Sequence, residues 1–510
     1  MKHLKAAIAT VLLLSVLCVG GCNMAIPTMP IRPNEIKGLN QAYADQLMSL
    51  DYSPDCQNID VSEGILSTRT GSNKLAVTAL EGETIISVMV FRTEAGNGTV
   101  IIGTDDGESG YKWYFNDGGT WTEITTDPGG VSLTTLNPEY ARSQMVKIAD
   151  TEVMILVAVT GAPVKIWYDS DDSAFYYAAL GGSPPSEARF ITYHRERTWL
   201  APDDTDLNTV YYSNAFDPED WTTAGETGTI TIESFDGDNI AGIYNIFDDV
   251  IVFKQNTIWR IVGDTPDDYA VEQVYGVQGL TEIKGVCQDG GYCFFTGEDG
   301  IYQYDGTNAY PILTDEIKDI YKGMTQAICL LVNNKLYVLD RRTVPSYTGK
   351  SIIYDVRTKK IEVISMQEIY DAVSTEAGYN IRIYYTDGEY VYYLFYTKLT
   401  FADTDIDAYW YTPETDFGLP NATKTLTNIY INGYGTTSAG AAGGQLKVTI
   451  YYNENGTIKT KEKTITLQTT TKVHNISLSV TGRSFKFKFE NVDGSAFHIM
   501  PTWIYEVDKD

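Results

Sequence analysis

From about Ile85 to Leu419 the chain repeats one local pattern. A short apolar strand is followed by a tight turn, a second apolar strand, a strand rich in Tyr or Trp, and another turn. Candidate first strands begin near Ile86, Val146, Phe190, Ile240, Gly285, Ala327 and Ile381, at spacings of about 40 to 60 residues, the scale of a four-stranded propeller blade. One such sheet cannot bury both of its faces. A ring of sheets does, and it leaves only short, protected edges. The expected fold is therefore all-β: a β-propeller of about six to seven irregular blades, with an extended N-terminal arm and a C-terminal β-sandwich-like sheet. Two stacked sandwiches would use similar strands and are the alternative. A regular kelch or WD40 signature is absent.

The strands are legible in segments such as "DDVIVFKQNTIWRIVG" (248–263), "GYCFFTGEDGIYQYDG" (291–306) and "MVKIADTEVMILVAV" (145–159). The 37 tyrosines favour pleated surfaces, and the 44 glycines supply tight turns. Asp106-Gly107, Asp117-Gly118, Asp299-Gly300, Asp305-Gly306 and Asp387-Gly388 sit where hairpins with two left-handed residues are expected. Helix is scarce. The best candidate is Thr314–Met324, with Thr314 as cap and Ile317, Ile320 and Tyr321 on one face.

Texture divides the chain into a prefix (1–23), an arm with the first strands (24–84), the propeller (85–420) and a C-terminal β-rich domain (421–510). In the last, "RSFKFKFE" places Phe485, Phe487 and Phe489 on one face and Lys486 and Lys488 on the other, the period of a half-buried strand. Its lysines suit either edge protection or contact with an acidic neighbouring subunit.

The prefix "MKHLKAAIATVLLLSVLCVGGC" has a basic start and an apolar run, and Val19-Gly20-Gly21-Cys22 has the form of a lipobox. Read literally, it makes Cys22 a lipidation site and the chain an exported lipoprotein in the bacterial outer membrane or periplasm. Met24 is a second plausible start, which makes the prefix a mis-assigned extension.

The net charge of −29 argues against sequence reading of nucleic acid, which needs a basic surface. It is compatible with a wall that DNA passes without sticking, and with solubility alone. Of the four histidines, only His194 lies in a charged, aromatic setting, and no nucleophile motif accompanies it. Acidic pairs are too numerous to mark a glycosidase. Pro202–Asn208, Asp236–Asn239 and Thr404–Tyr409 are acidic enough for calcium, but none has the spacing of an EF-hand loop. Cys287 and Cys293 flank an apparent hairpin, where buried thiols or a cross-strand disulfide are both open. No zinc cluster, P-loop or dinucleotide fingerprint is present. No catalytic, cofactor-binding or metal residue is assigned, no cofactor is expected, and the chain is not expected to be an enzyme.

Several segments, in order, resemble one family. "CQNIDVSEGILSTRTGSNKL" (56–75) resembles an opening of Asn, an aliphatic strand, Gly and Arg-x-Gly. "YHRERTWLAPDDTDLNTVYYSNAFDPEDW" (193–221), "IAGIYNIFDDVIVFKQNTIWRIVGD" (240–264) and "TGRSFKFKFE" (481–490) are similar to successive later segments. The family is the β-propeller tail nozzle, or packaged-DNA stabilisation and tail-hub, protein of short-tailed bacteriophages. The resemblance implies a structural virion protein, assembled in the host cytoplasm into a homo-oligomeric ring, a hexamer by that resemblance. Its implied partners are portal, adaptor and other tail proteins, and double-stranded DNA passing without sequence-specific binding. The alternatives are an exported lipoprotein propeller that binds glycan or protein at the cell surface, and a propeller-type glycan hydrolase.

Overall fold

The computed structural model describes residues 33–509, apart from 34, 77, 95, 97, 109, 203–205, 234–236, 275–277, 290, 325, 342–348, 367, 376–381, 395–399, 402–403, 455 and 501–503. Cys22 and the rest of the lipobox-like prefix lie outside the described residues.

The propeller expectation is borne out, with seven blades. Six are consecutive four-stranded antiparallel meanders: blade 1 (84–123), blade 2 (142–179), blade 3 (190–231), blade 4 (240–274), blade 5 (286–313) and blade 6 (327–366). Blade 7 has only three strands of its own, Asp371–Thr375, Arg382–Thr386 and Val391–Leu394. Its fourth and outermost strand is Ser72–Lys74 from the arm. The ring closes where the innermost strand of blade 7 meets that of blade 1. There Asp371 Oδ2 accepts from Ser87 Oγ and Val88 N, at 3.2 and 3.0 Å.

Two details differ from the sequence reading. The innermost strand of blade 7 starts at Asp371, not near Ile381, because the polar run "DAVST" carries little apolar signal. The Asp-Gly pairs are not two-residue left-handed turns: among them only the glycines, such as Gly107 and Gly388, have positive φ. Such turns occur instead at Ala149-Asp150, Arg195-Glu196 and Asn333-Asn334, each closing the first hairpin of a blade. The right-handed twist of the flanking strands favours such turns; Asn333-Asn334 follows the usual residue preference, and Arg195-Glu196 departs from it. The single α-helix described spans Lys318–Gly323, preceded by Ile317 with no side-chain cap, so Thr314 does not cap it. Ile317 and Ile320 are buried, and Tyr321 packs against the same core.

The C-terminal segments form a two-sheet sandwich, and the arm supplies strands to both sheets. One sheet orders Cys56–Gln57, Tyr409–Tyr411, Phe485–Val492, Gln445–Glu454 and Thr457–Thr466. The other contains Ile59–Asp60, Leu66–Thr68, Ala496–Ile499, Lys424–Thr436 and Lys472–Gly482, with Ile504–Lys509 also paired to Lys424–Thr436. Phe485, Phe487, Phe489 and Trp410 face Leu426, Ile429 and Phe497 in a core continuous with blade 6. Gly38–Leu39 and Tyr52–Ser53 extend blade 6 on its outer edge. Only glycine fits at 38: φ is +98°, and a Cβ would lie 1.8 Å from the carbonyl oxygen of Ile361.

Candidate functional site

The segment around His194 forms blade 3. Phe190–His194 and Arg197–Ala201 pair through the Arg195-Glu196 turn, and Thr209–Tyr212 follows. His194 is buried. Its Nε2 accepts from Arg195 Nε at 3.2 Å, and its carbonyl accepts from Trp199 Nε1 at 3.2 Å. Burial, then the charge of Arg195, hold its pKa below the ordinary histidine value. Arg197 points inward, donating to the carbonyls of Ser213 and Glu226 and pairing with the Glu226 carboxylate at 3.0 Å. Trp199, Tyr212 and Tyr269 form an aromatic triangle with centroids 5.2–5.3 Å apart. The geometry is that of a scaffold: these side chains satisfy blade carbonyls and pack against one another.

Sequence reading missed the propeller axis. Tyr140, entering blade 2, reaches across the ring to blade 6. Its hydroxyl lies 3.0 Å from Gln326 Oε1 and accepts from Arg341 Nη1 at 3.0 Å, with the guanidinium 4.5 Å from its ring centroid. Arg341 also donates to the Tyr370 carbonyl at 2.7 Å and contacts Glu139 at 3.5 Å. This bridge spans one end of the ring. Behind it lies a cavity of about 480 Å³ lined by Val88, Arg142, Tyr244, Lys284, Cys329 and Ala372. Lys284 is ion-paired with Asp371, while Arg142 Nη2 donates to the Ile283 carbonyl at 2.5 Å. Burial pushes the Lys284 pKa down to about 8, against the pull of Asp371, and Arg142 adds to the depression. Burial likewise lifts Glu282 to about 7. No local motif signals this cluster, because Tyr140 and Arg341 lie 201 residues apart.

The arm's "Asn … Arg-x-Gly" residues meet at the joint between propeller and sandwich. Asn58 N donates to the Val363 carbonyl at 2.8 Å, and Asn58 Oδ1 accepts from Ser365 N at 2.8 Å, both in blade 6. Asn58 Nδ2 donates to the Asp407 carbonyl at 2.9 Å, beside the sandwich. Arg69 N donates to the Asn58 carbonyl at 2.9 Å, and the Arg69 guanidinium is ion-paired with Glu362 of blade 6. The pair is 4% and 3% exposed. Burial opposes the Arg69 charge, but Glu362 and then Asp60 hold its pKa above the ordinary value. Gly71 passes so close to Thr400 that a Cβ would lie 1.9 Å from its carbonyl oxygen.

The acidic loops are occupied by their own chain. Asp238 accepts from Gln255 N and Asn256 N, both at 2.8 Å, and Asp206 accepts from Thr209 Oγ1 at 2.7 Å. Asp203 and Asp204 lie outside the described residues, as does Asp236. Among the described residues no group of three or more His, Cys, Asp or Glu side chains is placed to hold a metal ion. The Cys287–Cys293 disulfide is excluded by register: Cys287 stands opposite Phe294 and Cys293 opposite Gln288, so the thiols face opposite sides of the sheet.

No family model and no curated protein matches the chain. Among solved structures, the chain is similar to the extracellular domain of the putative one component system BT4673 from B. thetaiotaomicron, with 12% identity and a TM-score of 0.42. That match covers 70% of this chain and 43% of the other, so the chain spans less than half of that structure. It is also similar to the Neurospora crassa Pan2 WD40 domain, with 9% identity and a TM-score of 0.39, over 64% of this chain and 96% of that domain.

Proposed function

We propose that the chain is a non-enzymatic wall subunit of a short-tailed phage tail, one copy of a nozzle or hub ring that extends the DNA channel below portal and adaptor. The observation that carries this reading is the joint. The Asn58, Arg69 and Gly71 positions of the resemblance weld arm, blade 6 and sandwich into one body. Such a weld would let a wall subunit bear packing pressure as one body. In this reading the axis bridged by Tyr140 and Arg341 is not the conduit. DNA passes through the centre of the ring, where the chain's net charge of −29 keeps phosphate from adhering.

Neighbouring copies meet through the Thr457–Thr466 strand. It is the edge of its sheet, and its residues are exposed on both faces apart from the half-buried Ile465. Lys459, Lys461 and Lys463 line one face of it, on an otherwise acidic chain. Ile458, 71% exposed, leads the other face. Mixing the purified chain with portal–adaptor complexes and imaging the product tests the reading. Rings stacked below the adaptor are expected, and a chain that never joins the complex overturns it. The lipobox-like Cys22 motivates a second reading, a surface-anchored propeller, which acylation of Cys22 in cells would select.

A further inference from the structure

A cleft of about 350 Å³ opens at the end of the propeller where the innermost strands begin, among the entries to blades 2 to 5. Phe190, Leu207, Ile240 and Leu280 give it apolar walls. Arg189 lines it, half-buried, and its Nε is buried with no hydrogen-bond partner. The buried arginines elsewhere are treated differently. Arg69, Arg197 and Arg341 each hold a carboxylate. Among the described residues Arg189 holds none, although the chain carries 67 acidic residues. A guanidinium whose Nε is withdrawn from water without a partner carries a cost, and its planar fork matches a carboxylate. The side-chain amides of Asn239 and Gln255 also line the cleft and add donors beside it. Glu139, the one carboxylate among the described lining residues, is turned onto Arg341.

We propose that this cleft binds a small organic carboxylate, with Arg189 gripping the carboxylate and an apolar body seated on Phe190, Ile240 and Leu280. The volume is at the small end of ligand pockets, which fits a compact molecule and not a polymer chain. The apolar walls favour such a ligand over inorganic phosphate, whose whole surface is polar. The proposal does not depend on ring assembly.

Isothermal titration of the full chain with benzoate, benzyl alcohol and inorganic phosphate at fixed ionic strength tests it. Benzoate is expected to bind, with benzyl alcohol and phosphate at least about tenfold weaker, since a charge-assisted pair is lost in one case and apolar burial in the other. Arg189→Gln is expected to abolish benzoate binding while leaving the melting temperature unchanged, because the buried Arg189 Nε makes no hydrogen bond among the described residues. Arg189→Lys is expected to retain part of the affinity. Absence of benzoate binding at millimolar concentration, equal binding of the alcohol or of phosphate, or unchanged binding by Arg189→Gln would each overturn the proposal.

Discussion

The propeller and the sandwich solve the same problem in opposite ways. Each blade covers its faces with its neighbours, and the ring hides its last seam by borrowing Ser72–Lys74 from the arm. The sandwich buries one face of each sheet and then leaves all but Ile465 of a ten-residue strand, Thr457–Thr466, outside its core. A strand in a soluble monomer normally buries one face. The contrast teaches a division of labour: the propeller closes on itself, while the sandwich leaves a long strand face exposed, which the proposed ring uses for contact.

Removing the arm, residues 35–74, attacks both units at once. It takes the fourth strand from blade 7 and strands from both sandwich sheets. The truncated chain is expected to lose cooperative unfolding altogether in a calorimetric scan. A sharp transition retained by the propeller alone would show that the ring closes without its borrowed strand.

The joint between the units gives the next largest effect. Arg69→Met leaves the buried Glu362 carboxylate with only Lys335, 3.8 Å away, as a cation, and should cost about 3 kcal/mol in denaturant unfolding. The Arg69→Met/Glu362→Leu double variant should recover much of that loss, since the only cation then left without its partner, Lys335, is 21% exposed and can reach water. If both variants lose the same amount, packing at the joint, not charge, holds the units together.

Glu282 offers a smaller effect confined to the propeller. Burial raises its pKa to about 7 from an ordinary value near 4.5. The native state therefore holds this proton more tightly than the unfolded chain, so the group lowers stability as pH rises from about 4.5 to 7. Glu282→Gln should flatten that part of the pH profile and raise the melting temperature at pH 7 and above, relative to wild type. A profile unchanged by the substitution would remove Glu282 as its cause.

The smallest effect on stability belongs to the exposed strand. Lys461→Glu/Lys463→Glu should shift unfolding by no more than about 0.5 kcal/mol, as exposed substitutions do. The same change is expected to weaken self-association strongly, read by sedimentation velocity. That separation of stability from assembly is what distinguishes the sandwich edge from every blade.

The fold was largely legible because blades are local. Apolar strands such as Val250–Phe253 and turns between them repeat within tens of residues, and period alone exposes them. Blade 7 was misplaced because its inner strand is polar and its partner strand lies some 300 residues earlier. The lysine and phenylalanine alternation of Phe485–Val492 announced a half-buried strand, and Phe485, Phe487 and Phe489 are buried. The axis bridge and the cleft around Arg189 carry no such signal. They are assembled from residues just outside strands, brought together only when the ring closes.

The central claim is that this chain is one copy of a ring. Native mass spectrometry of the full chain across a range of protein concentrations tests it most directly. The account predicts a discrete closed oligomer, six copies by the family resemblance, that dissociates when Lys461 and Lys463 are made acidic. A chain that stays monomeric at every concentration, alone and with portal–adaptor complexes, would contradict it.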